Sequence, residues 1–232
     1  MREAYRVIDV PPVPAGCCTR DDVGSASRTN AFIDYLNTLA SSPESPIDGD
    51  RISSFFFPDG VYDIFVSHSH ADRGAACQLK NICAGEGYKA FVDSDTWLDV
   101  RDLIKTLLER NPSQKYGNIL HLASNAYIIL ATALMQRINQ AKVFVFLETR
   151  NSLPGHDGER YQTHSPWLKL ELETCHLLSQ RVLTEGHVVT GGMASYREFA
   201  YGADIDHLPD ETYADLIAKI RNGALPRWPR TR

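Results

Sequence analysis

Lys142-Val143-Phe144-Val145-Phe146-Leu147 is the stretch that decides the fold. It is short, continuously apolar and built of β-branched and aromatic residues, the pattern of a strand covered on both faces. Such a strand belongs in a parallel sheet with helices on either side. Upstream, Val61-Tyr62-Asp63-Ile64-Phe65-Val66 is a second β-rich run, ending at Ser67-His68-Ser69-His70-Ala71-Asp72 before the pattern turns helical through about Glu86. Tyr88 to Asp93 reads as another short strand, followed by the polar loop Ser94-Asp95-Thr96-Trp97 and a helix from about Leu98 to Arg110. Asn111 to Asn125 contains Pro, Gly and Ser and reads as an insertion. A helix resumes near Tyr127, with Leu130, Leu134 and Ile138 on one side.

Downstream of Leu147, a loop of roughly eighteen residues, Glu148 to Ser165, is long for a compact domain, and loops of that length are usually functional or mobile. His187-Val188-Val189 is a possible fourth strand, and Asp210 to Asn222 a closing helix carrying Tyr213, Leu216, Ile217 and Ile220. Residues 1–60 differ in character. Pro11-Pro12-Val13-Pro14 and Ser41-Ser42-Pro43-Glu44-Ser45-Pro46 are loop material flanking one amphipathic stretch, Thr29 to Ala40, with Phe32, Leu36 and Leu39 on a face. Together with the apolar Phe55-Phe56-Phe57 this reads as an extension packed on a main domain spanning 61–232.

Bulk properties exclude several classes. The chain of 232 residues has 43 % hydrophobic and 23 % charged residues and a formal net charge of −5, as an ordinary globular protein does. Without a basic stripe, nucleic acid is not an expected partner. No apolar run approaches membrane-spanning length and Met1-Arg2-Glu3-Ala4-Tyr5-Arg6 does not read as a signal peptide, so the expectation is a cytoplasmic protein with no membrane partner. Of the five cysteines, Cys77, Cys83 and Cys175 fall in predicted helices, where small buried thiols are common. Cys17-Cys18 has no partner at zinc-ligand spacing, and no metal site is expected.

One stretch carries chemistry. In Ser165-Pro166-Trp167-Leu168-Lys169-Leu170-Glu171-Leu172-Glu173, Ser165 is a good N-cap and Pro166 suits the first helical position. Trp167, Leu170, Glu171, Thr174, Cys175 and Leu178 follow one helical face, which sets Glu171 among apolar neighbours. A carboxylate there is costly unless it bonds to a donor or serves a reaction. Glu173 points elsewhere and can pair with Lys169, four residues earlier, as a surface charge.

Three blocks resemble a known family. Tyr62-Asp63-Ile64-Phe65-Val66-Ser67-His68-Ser69-His70, then Gly87-Tyr88-Lys89-Ala90-Phe91-Val92-Asp93, then Ser165-Pro166-Trp167 with Glu171, look like the ordered signature blocks of Toll/interleukin-1 receptor (TIR) domains, particularly bacterial ones. They cover roughly residues 61 to 180 of the sequence. The resemblance implies a flavodoxin-like α/β fold, a five-stranded parallel sheet of order 2-1-3-4-5 with helices on both faces, and ligands bound beyond the carboxyl ends of strands 1 and 3. In the enzymatic branch the glutamate of Trp-x-x-x-Glu cleaves the nicotinamide–ribose bond of NAD+, and Glu171 matches it. The implied substrate-binding set is Ser67, His68 and Ser69 near phosphate or ribose, Trp167 and Phe91 shaping the pocket, with Asp93 and with Trp97 in the mobile BB loop. His68-Ser69 departs from the aromatic or basic residues usual in animal members. NAD+ is substrate, no cofactor is implied, and the product is ADP-ribose or a cyclic ADP-ribose isomer.

By the same resemblance, bacterial proteins of this type act in antiphage defence, including Thoeris systems, as homo-oligomers whose nucleotide product activates a separate effector. The alternative is a non-catalytic TIR module acting by homotypic assembly through the Trp97 loop. A nucleoside-processing transferase on a similar sheet is a third reading. A Ser-His-Asp hydrolase built on His156, His164 and Asp157 lacks a Gly-x-Ser-x-Gly elbow.

Overall fold

The computed structural model describes residues 1, 3–13, 60–96, 116–156, 158, 160–179 and 200–229, with isolated positions between 30 and 54. In chain order its elements are β1 (Glu3–Ile8), β2 (Ile64–Ser67), α1 (Arg73–Gly85), β3 (Ala90–Val92), the short α2 (Asp93–Thr96), α3 (Tyr116–Gln140), β4 (Val143–Leu147), β5 (Gly155–His156), β6 (Tyr161–Thr163), α4 (Pro166–Ser179), β7 (Tyr201–Ala203), β8 (Asp210–Thr212) and α5 (Tyr213–Arg221).

Five strands form one sheet in the order β3-β2-β4-β1-β8, every pair parallel. The apolar run of β4 lies at its centre. Phe144 and Phe146 face one core with Phe65 and Phe91, under Leu130, Leu134 and Ile138 of α3 and Leu168 and Leu172 of α4. Val143, Val145 and Leu147 face the other, under Ala75, Ala76 and Leu79 of α1 and Leu216 and Ile220 of α5. Alternate side chains thus meet opposite helix layers, which is why no polar residue interrupts the strand.

The parallel α/β class expected from sequence is present, but the strand order is corrected. β3, β2 and β4 occupy the first three places as expected of strands 2, 1 and 3. The next place is taken by β1, with Glu3 to Val7 in register with Val143 to Leu147, and β8 adds outside it. Glu3–Ile8, read from sequence as part of an extension, is therefore a strand of the sheet. What hid it is Arg6, half-buried on a strand yet charged. Its guanidinium donates to Glu148 and to the Tyr161 hydroxyl at 3.3 Å, and lies 3.4 Å from Asp210 Oδ1. These partners make a charged strand residue compatible with burial.

Other boundaries differ locally. α3 begins at Tyr116, so its first turns run through part of the stretch read as an insertion. The loop after β4 contains β5 and β6, which join β7 in a small antiparallel sheet. The closing helix starts at Tyr213, because Thr212 Oγ1 accepts from Asp215 N at 3.1 Å as its N-cap while Asp210–Thr212 pairs with β1. The helix expected over Leu98 to Arg110, the strand at His187 to Val189, Cys17-Cys18 and Phe55 to Phe57 lie outside the described residues, as do Phe32, Leu36 and Leu39 of the Thr29 to Ala40 stretch. Cys77, Cys83 and Cys175 are buried thiols, as expected. Among the described residues no helix is long and apolar enough to cross a membrane.

Candidate active site

Helix α4 brings the carboxyl to the sheet. Ser165 Oγ accepts from Leu168 N at 3.3 Å and Pro166 opens the helix, as its sequence requires. The face pressed deepest into the core is Leu168, Glu171, Leu172 and Cys175, with Trp167, Leu170 and Leu178 only partly covered. The apolar stripe is thus turned slightly from the one read in sequence, and Glu171 lies at its centre with 1 % of its surface exposed. Lys169 pairs with Glu173 on the outer face, as expected.

Two strand ends meet it there. On β2, Phe65 faces the α4 side, and by the two-residue period so does Ser67. Ser67 Oγ donates to Glu171 Oε2 across 104 residues of chain. On β3, Phe91 faces that side, and Asp93, which opens α2 directly after the strand, acts on Glu171 through its charge. His68 joins the ends of β2 and β3. Its Nδ1 is 3.2 Å from Val66 O and 3.4 Å from Asp93 Oδ1, and its Nε2 is 2.7 Å from Ser94 Oγ. A carbonyl only accepts, so in the neutral ring Nδ1 carries the proton and Nε2 accepts from the Ser94 hydroxyl.

Burial pushes the Glu171 carboxyl well above the usual carboxylate range, and the nearby Asp93 charge pushes it further. The Ser67 hydrogen bond acts the other way, since it favours the ionised form. Two substitutions should therefore move Glu171 in opposite directions. Asp93→Asn is expected to lower its titration point and Ser67→Ala to raise it, read by carboxyl-carbon NMR of glutamate-labelled protein. Shifts of the same sign in both variants would rule out this division of forces.

The remaining expected residues are placed as follows. Ser69 is half-buried and precedes a 3-10 turn, His70–Asp72, with no side-chain capping bond. Phe91 is 2 % exposed and packs edge-on to Tyr62 at 5.1 Å and against Phe65 at 5.5 Å, as a core residue beneath the site. Trp167 is half-buried and stacks on Tyr127 at 5.9 Å, on the outer side of the α3–α4 contact. Trp97 lies outside the described residues. Sequence reasoning missed Ser94, although a hydroxyl directly after the aspartate that ends a strand is a readable signal. Asp72, just ahead of α1, makes no side-chain capping bond. Instead, its carboxylate accepts from Thr149 Oγ1 at 2.5 Å and Asn151 Nδ2 at 2.7 Å, tying the start of α1 to the loop after β4.

A cleft of about 280 Å³ opens nearby, beyond the ends of β1 and β4, lined by Ile8, Asp9, Glu148, Thr149, Arg150 and Leu153. Glu171 is not in its lining. The open space and the buried carboxyl thus lie at the same, carboxyl, end of the sheet, and Thr149 of the cleft is bonded to Asp72 ahead of α1. Fold and site together define a parallel α/β protein with a buried carboxyl at the carboxyl ends of its central strands. Comparison with protein-family models, with curated proteins and with solved structures returns no match.

Proposed function

We propose that this chain is a TIR-type NAD+ glycohydrolase or cyclase with Glu171 as its catalytic carboxylate. The observation that carries the reading is the burial of Glu171 against Ser67 at the strand ends. A fully covered glutamate that ends an aromatic-x-x-x-Glu pattern is the position a catalytic carboxylate of this type would hold. The reading adds that NAD+ is substrate, that copies assemble through TIR–TIR contacts, and that the nucleotide product signals to a separate effector in the bacterial cytoplasm.

Nicotinamide leaves from an already cationic nitrogen, so departure needs no general acid. The C–N bond breaks with its electron pair going to nicotinamide, and the ribose is left as an oxocarbenium-like cation. One buried anion suffices to stabilise that cation and to hold a ribose hydroxyl. Before substrate arrives, burial and Asp93 favour the protonated carboxyl. The positive nicotinamide ring offsets both influences and favours the ionised form, so the negative charge develops where the cation forms. Water adding to C1′ and losing a proton gives ADP-ribose, while an adenine nitrogen adding there gives a cyclic isomer. Since Glu171 is 1 % exposed, the reading requires the site to open for substrate to enter.

The experiment is nicotinamide release from NAD+ followed by liquid chromatography, at protein concentrations that favour assembly. Turnover with ADP-ribose or a cyclic product supports the reading. A protein that assembles but releases no nicotinamide at any concentration overturns it in favour of the interaction module. The exposed Ile128 and Leu177, each 64 % accessible, are the observation on that side.

A further inference from the structure

A second cluster on α4 has no place in that chemistry. His176 lies a turn and a half beyond Glu171, and two residues of the β7–β8 turn, Asp204 and His207, face it. One donor atom from each falls within 4.8 Å of the others. His176 Nδ1 is 3.7 Å from Asp204 Oδ2 and His207 Nδ1 is 3.8 Å from Asp204 Oδ1. The imidazoles meet edge to face at 4.7 Å.

These separations are too long for hydrogen bonds and slightly longer than those of metal ligands. A tetrahedral ion with bonds of about 2.0–2.1 Å holds its donors about 3.3–3.5 Å apart, a few tenths of an ångström tighter than the two imidazole–carboxylate approaches, so the three side chains draw together from their 4.8 Å spread when they bind. His207 supplies an independent observation. Its side chain is only 10 % exposed, yet neither ring nitrogen has a hydrogen-bond partner among the described residues. A covered imidazole with nothing closer to its nitrogens than the 3.8 Å approach of Asp204 is costly, and ligation would satisfy it.

The backbone holds the cluster in place. Ala203, Ile205 and Leu208 are buried in the α3–α4 core, Leu208 N donates to Ile205 O at 3.0 Å, and Asp206 N donates to Asp204 Oδ1 at 3.3 Å. Asp204, 45 % exposed at its side chain, leaves one side open to water.

We infer that His176, Asp204 and His207 form a binding site for a divalent transition metal of the zinc type. Two imidazoles and one carboxylate suit such an ion rather than calcium or magnesium, which take oxygen donors, and water completes the coordination. Five residues of helix separate His176 from Glu171, about 7.5 Å along the axis and on a different face. The ion therefore clips α4 to the β7–β8 turn and does not touch the Glu171 carboxyl. In sequence Asp204 and His207 stand only three residues apart, but the third ligand, His176, lies 28 residues earlier on another element, so the set forms no complete short-spaced metal motif.

The test requires no NAD+ turnover and stands apart from the proposed activity. Tag-free full-length protein is titrated with Co(II), whose tetrahedral complexes absorb visibly, and the cobalt is then displaced with Zn(II). One equivalent should bind with the visible band, and Zn(II) should raise the unfolding temperature. His207→Gln and Asp204→Asn should each weaken Co(II) binding at least about 100-fold, since loss of even an outer-shell partner costs 10–100-fold. The exposed Asp204 makes the second variant a safe one for folding, checked by circular dichroism. Absence of the band at one equivalent, or unchanged affinity in folded Asp204→Asn, overturns the inference.

Discussion

Glu171→Gln is expected to abolish nicotinamide release, by at least about 100-fold, and at the same time to make the protein more stable at neutral and alkaline pH. Both effects come from the same burial. The amide keeps the shape and can still accept from Ser67, but it cannot become the anion that stabilises the ribosyl cation. The stability effect follows from linkage. The folded state raises the carboxyl above its unfolded value of about 4.3, so it binds the proton more tightly than the unfolded chain does. Between the two values unfolding releases a proton, and stability falls as pH rises through that window. Each pH unit of the window is worth about 1.4 kcal/mol. Glutamine has no proton to lose, so the variant escapes the fall. Thermal unfolding of both proteins near pH 4 and again near pH 8 checks this, about 4 lying at the foot of the window. A gain at the higher pH only is expected. An equal difference at both values would mean that Glu171 is not the group holding the proton, whatever the activity assay shows.

Asp63→Ala is expected to destabilise the protein by about 2–4 kcal/mol without touching Glu171. Asp63 is fully buried at the amino end of β2. Its Oδ2 accepts from Lys89 N and its Oδ1 from Trp228 N, both at 2.8 Å, so one carboxylate fastens the lead-in to β3 and the C-terminal segment. Its carbonyl also accepts from Lys142 N at 3.0 Å and Val143 N at 2.9 Å, where β4 begins. The C-terminal segment is held further by Tyr88 OH donating to Leu225 O at 3.1 Å, by Lys142 Nζ 3.2 Å from the Trp228 ring centre, and by Arg227 over Tyr88 at 3.8 Å. Alanine leaves both backbone donors without their charged acceptor, each worth about 1.5–3 kcal/mol, partly recovered by water. Asparagine should lose a similar amount, because one of its two terminal groups is itself a donor and would face an N–H. Urea unfolding measures the change, and a loss under about 0.5 kcal/mol for alanine would show that the segment is held by other contacts.

The first block that resembles TIR domains therefore contains two residues of different kinds. Asp63 closes the amino end of the sheet, while Ser67, four residues on, reaches the carboxyl at the opposite end. A motif read as a unit in sequence is, in space, a strand with a structural anchor at one end and the partner of a buried carboxyl at the other.

What the sequence determined by itself is whatever rests on local order. The unbroken apolar run of β4 required helices on both faces. Ser165-Pro166 marked the start of α4, and the alternation of strand and helix implied a parallel sheet. The suspicion attached to Glu171 was also legible, since a carboxylate among Trp167, Leu170 and Cys175 stands out by period alone. Only the tertiary structure decided that β1 lies between β4 and β8, because a strand's neighbours depend on pairing across the whole chain and Arg6 concealed its burial behind partners just after β4 and on β6 and β8. It alone joined Ser67 to Glu171, turned Phe91 into the core, and gathered His176, Asp204 and His207 at one turn. The physical reason is common to all of these. Local periodicity states which face of an element is buried, but the partner it meets there is set by packing between segments that the sequence keeps far apart.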